Sequence, residues 1–265
     1  MRQIEVFDQL QHLVVLYTQP LRIVSLVPSL TELIADGFGL PGSLVGVTQY
    51  CVHPSNIKYK AQPVGGPKTV AMDRLKALRP DVVIASKEEN LQEQVEEMRQ
   101  FVPVFVTDVV DFPSALEAIQ LLGKLLSVSE AAQKLTLAIR DTFSEYAPLR
   151  EDLSVAYCIW KNPWMTIGHG TFIHEMLTFA GFHNVFACKG QRYPQITLKE
   201  LEQAKPALVM LSSEPYTFTQ TDQNELAEKL PASKIILVDG EMFSWYGNRM
   251  VKAPAYFKQL FKFVV

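Results

Sequence analysis

"RIVSLVPSLTELIADGFGL", residues 22–40, decides the fold class. Arg22 to Val27 is the short, branched, apolar run of a buried strand, and Pro28 has no amide with which to continue a ladder, so the strand stops there. Ser29 stands three residues before Glu32, the spacing of a capping box, and Leu30, Leu33 and Ile34 give the following helix an apolar face. Gly37 and Gly39 are placed to end it. A strand whose carboxyl end feeds a helix amino end is the unit of a parallel α/β sheet. Ligands collect at such edges because free amides converge there.

The unit recurs along the chain. "MDRLKALRPDVVIAS" (72–86) and "LKELEQAKPALVMLS" (198–212) are the same object: a short amphipathic helix, a proline, then a buried strand ending in serine. Pro80 matches Pro206 and Ser86 matches Ser212. The next strand recurs as "FVPVFVTD" (101–108) and "SKIILVDG" (233–240), and the opening corner recurs as "SVAYCIW" (154–160) with the helix "TFIHEMLTFAGF" (171–182). Between the copies, residues 113–149 carry helical periodicity throughout, with Ser127 or Ser129 as a cap that restarts the helix. From Ser129 to Tyr146 such a helix spans about 27 Å at 1.5 Å per residue. A helical linker, unlike a Gly/Ser hinge, predicts lobes that move little. The opening residues, 1–20, read as a small β-hairpin.

Composition narrows the function classes. A net charge of −3 over 265 residues, with no basic run, argues against a nucleic-acid surface and for small-molecule or protein partners. No apolar stretch approaches a membrane span, and Leu13 to Tyr17 is too short for the core of a leader peptide. Cys51, Cys158 and Cys188 lack metal-type spacing and cannot all pair internally.

Six motifs in order, "RIVSLVPSLTELI", "VGVTQYCVHP", "VGGPKTVAMDRLKALRPDVVIAS", "NPWMTIGHGTFIHEML", "RYPQITLKELEQAKPALVML" and "VDGEMFSWYGNRM", give the chain a family likeness over nearly its whole length. It resembles the helical-backbone (class III) substrate-binding proteins of ABC transporters, receptors for cobalamin, ferric siderophores, haem and some metal ions, and among them the cobalamin-binding members most. The resemblance implies an α/β fold of two Rossmann-like lobes with parallel sheets joined by one long backbone helix. The expected boundaries are an amino-terminal lobe over 1–126, the linking helix over 127–149 and a carboxyl-terminal lobe over 150–265.

It also implies a non-enzymatic protein, with no intrinsic cofactor, that holds a corrinoid in the interlobe cleft for ABC-type import. The alternative is a receptor for a ferric siderophore, haem or metal ion, with Arg249, Lys68 and Lys87 meeting ligand carboxylates. By resemblance the ligand contacts fall on Tyr50, Trp164, Met165, Tyr193, Glu241 and Arg249, while a tryptophan expected after the second strand of the first lobe is Ser86 here. An acidic residue on each lobe would dock an ABC permease. The first falls on Asp73; the second falls on Lys199, with Glu200 beside it, and Glu200 also stands at capping-box spacing from Thr197. Resemblance places the protein in the periplasm, as a monomer that does not span the membrane; the chain as given shows no leader peptide, which keeps the cytoplasm as the alternative.

Residue chemistry points to the same surface. A macrocycle needs flat apolar faces and a few polar groups for orientation, and Tyr50, Trp160, Trp164, Tyr193, Trp245 and Tyr246 all fall after strands rather than on core periodicities. His53, in the "CVHP" loop after Tyr50, is a candidate contact. His169 and His174 straddle a helix start and do not share a helical face, so the metal ligands, if any, are unassigned. A cysteine-dependent enzyme using Cys51 as nucleophile and His53 as base is the remaining alternative, without an orienting acid or oxyanion hole in view.

Overall fold

A computed structural model describes residues 3–148 and 152–264. The chain divides into two compact units. Unit 1 takes the chain up to Val109, Pro113–Asp141 and Tyr246–Asn248; unit 2 takes Val110–Phe112, Thr142–Trp245 and the chain from Arg249 onward.

Unit 1 opens with the expected hairpin, β1 (Ile4–Phe7) antiparallel to β2 (Leu13–Leu16). Asp8 sets its corner: Oδ1 accepts the amides of Leu10 and His12 at 2.9 and 2.8 Å, and Oδ2 accepts from Arg99 at 3.1 Å. The chain then alternates strand and helix: β3 (Ile23–Ser25), α1 (Pro28–Glu32), β4 (Leu44–Val47), α2 (Ile57–Lys60) and β5 (Gln62–Pro63). A short ribbon of β6 (Gly65–Gly66) and β7 (Thr69–Val70) leads to α3 (Met72–Ala77), β8 (Val82–Ser86), α4 (Gln92–Arg99) and β9 (Val104–Thr107). The sheet order is β5-β4-β3-β8-β9, all parallel. Every residue of β8 is buried, as a strand covered on both faces requires. Val24, Val83 and Val104 pack with Leu75, Val95 and Met98, each fully buried apolar side chain contributing about 1.5–3 kcal/mol.

The opening corner departs from expectation in one respect. The strand does end before Pro28, but Pro28 itself takes the first helical position and Val27 the cap, so Ser29 lies inside α1 and no capping box with Glu32 forms. Proline brings its own helical φ and no amide that needs capping, which moves the helix start two residues earlier than the serine signal implies. The helix then widens into a π turn over Leu33–Gly37, and Gly39 follows at φ 69°.

The helical stretch between the repeats is two helices, α5 (Phe112–Leu125) and α6 (Ser129–Ser144). Ser127 adopts φ 60°, and the Val128 amide reaches back to the Gly123 carbonyl at 2.8 Å, a left-handed termination that usually calls on glycine. Gly123 is itself the close-approach point, since a Cβ there would lie 2.3 Å from that of Ala132. The last residue of the expected linking helix, Leu149, lies outside the described residues.

Unit 2 runs β10 (Leu153–Trp160), β11 (Met165–Thr166), α7 (Phe172–Phe179), β12 (Phe182–Asn184), α8 (Leu198–Ala204), β13 (Leu208–Ser212), α9 (Gln220–Lys229), β14 (Lys234–Val238), α10 (Glu241–Ser244) and α11 (Ala253–Val264). Its sheet is ordered β11-β10-β13-β14, with β12 also paired to β10; only β11 is antiparallel. The repeat seen in the sequence is a repeat of register: Ser86 pairs with Thr107, and Ser212 pairs with Val238.

Candidate functional site

The candidate residues gather in groups at the carboxyl ends of the strands. In unit 1, Tyr50 follows β4, with 59% of its surface exposed and its ring edge 3.3 Å from the place a Cβ on Gly66 would occupy. Gly66 thus leaves room for the ring. His53 is half-buried two residues after Cys51. Cys51 is fully enclosed, its Sγ 3.1 and 3.3 Å from the hydroxyls of Thr31 and Thr48, and burial pushes its thiol up from the usual value. A nucleophilic cysteine needs the opposite environment, exposed and electropositive. Cys51 is a packing residue that ties the β4 loop to α1.

Ser86, the residue standing where resemblance expects a tryptophan, is buried at the end of β8. Its amide donates to Asn90 Oδ1 at 2.8 Å. Tyr246 closes over the same strand ends: its hydroxyl lies 2.9 Å from that of Thr107 and also bonds Ser86, and burial raises its pKa. Tyr246 is therefore only 8% exposed, a ring that caps the sheet of unit 1 rather than one that projects from a loop.

In unit 2, Trp164 stands in the turn just before β11, and Met165 begins that strand and pairs with Trp160 across the ladder. Trp164 stacks on Phe218 at 5.7 Å and 16°, Phe218 meets Tyr216 at 4.7 Å, and Tyr216 meets Trp160 at 5.6 Å. Four rings thus join the ends of β10 and β13, with Trp160 39% exposed. Tyr216 and Phe218 were missed in the sequence, although Tyr216 follows a strand end just as Tyr193 and Trp164 follow theirs. Tyr193 is half-buried on its own loop, with the Arg192 guanidinium 5.8 Å above its ring.

The last group is the most polar. Arg249 Nη1 pairs with Glu241 Oε2 at 2.8 Å, and its guanidinium lies 4.8 Å over the Trp245 ring. Trp245 is 6% exposed, and its Nε1 donates to Glu214 Oε1 at 2.8 Å. Trp245, expected to present a flat face, supports the guanidinium with that face. Glu214, which no sequence signal singled out, accepts from Ser244 Oγ through the same oxygen. Burial, above all, and then the Glu241 and Asp239 charges push its carboxyl up to about 6, against the hydrogen bonds from Ser244 and Trp245. The only hint in the sequence is the run "SEPYTF" after β13, a carboxylate among aromatic residues at a strand end.

Of the expected docking acids, Asp73 is exposed in the first turn of α3. Glu200 completes a capping box with Thr197 and forms an ion pair with Lys189, which together hold its carboxyl down at about 2. Lys87 is paired with Asp108 at 2.6 Å, and Lys68 is exposed. His174 sits in the first turn of α7, half-buried against Asn184, and burial followed by the His169 and His183 charges lowers its pKa. Among the described residues no group of three or more His, Cys, Asp or Glu is placed to hold a metal ion. Cavities of about 450 and 300 Å³, one behind β2 and one beside β12, contain none of the expected contact residues.

Residues 23–235 match the periplasmic binding protein family. The chain belongs to that family. It is a substrate-binding protein of the kind that serves ABC-type import, and not an enzyme. Its fold is that of the periplasmic vitamin B12 binding protein of Vibrio cholerae, with a TM-score of 0.77 at 20% identity over 93% of this chain and 98% of that one. A periplasmic haem binding protein from Pseudomonas aeruginosa gives the same TM-score, 0.77, at 22% identity over 91% and 92%. In sequence, the vitamin B12-binding protein of Salmonella typhi is 27% identical over 215 residues, 78% of each chain. Among the described residues no helix is long and apolar enough to cross a membrane.

Proposed function

We propose that this protein holds a corrinoid, with Tyr50, His53, Trp164, Met165, Tyr193, Glu241, Trp245 and Arg249 as its contacts. The observation that carries the reading is the vitamin B12-binding relative, which shares 27% of residues over 78% of this chain. The chemistry of the strand ends supports it: exposed or half-buried rings supply flat contact, and the Glu241–Arg249 pair supplies an acceptor and a donor for the amides and phosphate of a corrin periphery. Four rings joined edge and face hold Trp164 and Trp160 in fixed orientation, which reduces the ordering cost of binding.

A ferric chelate or haem is the second reading. Ser86 favours it, because the first unit presents a small buried hydroxyl where the corrinoid pattern calls for an aromatic wall. In that reading Lys68 and Arg249 meet ligand carboxylates, while Lys87 is already committed to Asp108.

Titration with cyanocobalamin, a ferric hydroxamate and haemin, followed by tryptophan emission and calorimetry, separates the readings. Cyanocobalamin is expected to saturate with Kd between about 1 μM and 1 nM. Unchanged emission with cyanocobalamin at tens of micromolar, alongside saturable quenching by one of the other two, would replace the corrinoid by that class.

We further assign Asp73 and Glu200 to docking on an ABC permease, and the protein to the periplasm as a monomer. Charge reversal at both acids is expected to abolish the complex with the permease and leave ligand affinity unchanged. Light scattering on the free protein checks the monomer.

A further inference from the structure

The ligand reading leaves the half-buried carboxylate of Glu214 without a task, and the surrounding structure is built to receive it. Ser212 Oγ accepts the Glu214 amide at 3.3 Å, donates to the Glu214 carbonyl at 2.7 Å and receives the Tyr157 hydroxyl at 3.1 Å. A Cβ on Gly240 would lie 2.3 Å from Ser212 Oγ and 2.9 Å from Glu214 Cγ, so the side chain occupies space that only glycine leaves. Its Oε1 then takes both the Trp245 indole N–H, at 2.8 Å, and the Ser244 hydroxyl. Over the face of the Trp245 ring Arg249 rests at 4.8 Å, itself paired with Glu241 at 2.8 Å. A line of contacts therefore runs from Glu214 through Trp245 to Arg249 and Glu241.

We propose that Glu214 is a positioning residue: its charge fixes the Trp245 indole and, through it, the Arg249 guanidinium, so that the polar ligand contacts of unit 2 loosen on acidification. The inference rests on the reading of Arg249 and Glu241 as ligand contacts. The ionisable groups around Glu214 are Tyr157 from β10, Asp239 after β14, Glu241 on α10, Arg249 after Trp245 and Tyr256 on α11, whose hydroxyl accepts the Asp239 amide at 2.8 Å. Burial and the two acidic neighbours bring the Glu214 carboxyl to about 6, within reach of mild acid. A proton on Oε2 leaves Oε1 a neutral acceptor, and a hydrogen bond to a neutral acceptor is roughly half as strong as one to a carboxylate. Glutamine reproduces that neutral state at every pH.

The test reads the ring directly. The chain has three tryptophans, so the ¹⁵N-labelled protein gives three indole N–H resonances, and Trp245→Phe assigns the one in question. In the wild type the Trp245 resonance is expected to shift between pH 7.5 and 5, and in Glu214→Gln to stay at one position. Over the same range the Kd for cyanocobalamin is expected to weaken about tenfold in the wild type. Glu214→Gln should begin at the weaker value and stay flat. A Trp245 resonance that does not move in the wild type, or moves equally in Glu214→Gln, overturns the proposal, as does an affinity that is independent of pH while the resonance titrates. If cyanocobalamin fails to bind at any pH but the resonance titrates only with Glu214 present, the corrinoid reading falls and the positioning of the ring by Glu214 stands.

Discussion

At the carboxyl end of β8, Ser86 Oγ accepts the Glu88 amide at 3.2 Å; at the carboxyl end of β13, Ser212 Oγ accepts the Glu214 amide at 3.3 Å. The two turns are the same device in the same register, yet Glu88 is exposed and Glu214 is largely enclosed. The difference comes from the neighbouring strand. After Asp108 the chain of unit 1 places Val109, a buried side chain, whereas after Asp239 the chain of unit 2 places Gly240 and leaves a space that Glu214 enters. In unit 1 the buried polar role at the strand ends passes to Tyr246 and Asn90 instead. A repeated turn thus fixes where a carboxylate leaves the backbone. The side chains opposite decide whether water reaches it, and so whether it titrates near neutrality.

The comparison breaks most severely if the ring beneath Arg249 is removed. Trp245→Ala deletes a buried indole and leaves a cavity, a change that costs about 3–5 kcal/mol and shows as a lower denaturant midpoint. The same variant is expected to weaken cyanocobalamin by about 1–3 kcal/mol in calorimetry. His12→Ala, on the hairpin of unit 1, should leave that affinity unchanged.

Filling the space tests its origin. Gly240→Ala sets a methyl against Ser212 Oγ and Glu214 Cγ, and the overpacking is expected to cost about 1–3 kcal/mol in thermal unfolding. Gly42→Ala, with nothing within 4 Å of its Cβ, is the control that should barely move.

The pH dependence tests the setting of Glu214. The Glu214 carboxyl binds its proton more tightly folded, at about 6, than its ordinary 4.5, so protonation favours the native state. Its contribution is fully present below 4.5 and is lost as pH rises through 6. Relative to Glu214→Gln, the wild type should therefore gain at most about 2 kcal/mol on going from pH 7.5 to below 4.5 in denaturant titrations. Glu88→Gln, at an exposed side chain, should differ from the wild type by no more than about 0.5 kcal/mol. The smallest effect is expected at Glu200→Gln, since glutamine still completes the box with Thr197. Any contribution of that carboxylate is present above 4.5 and fades as pH falls toward 2, so its melt should match the wild type at pH 4 more closely than at pH 7.

Local signals were legible where their partners lie close along the chain. Thr197 and Glu200 form the box their spacing announces, Pro28 lies beyond its strand and opens the next helix, and the duplicated helix and strand units fold as duplicated units. The same spacing at Ser29 and Glu32 failed because a single neighbour, Pro28, took the first helical position. The candidate contacts were legible as rings that follow strands. Their exposure was not: Tyr50 lies open while Trp245 and Tyr246 lie under other side chains, a distinction the residue types do not carry.

The sequence by itself determined the alternation of strand and helix, the two copies and the strand ends at which the candidate rings cluster, because periodicity and capping act over a few residues. Only the tertiary structure decided which of those residues lie open and which lie under other side chains. Trp245 meets Glu214 across 31 positions and Thr107 meets Tyr246 across 139. Burial, and with it the proton affinity of Glu214 and the orientation of Arg249, depends on whatever the fold brings alongside, and no short window of sequence contains both members of such a pair.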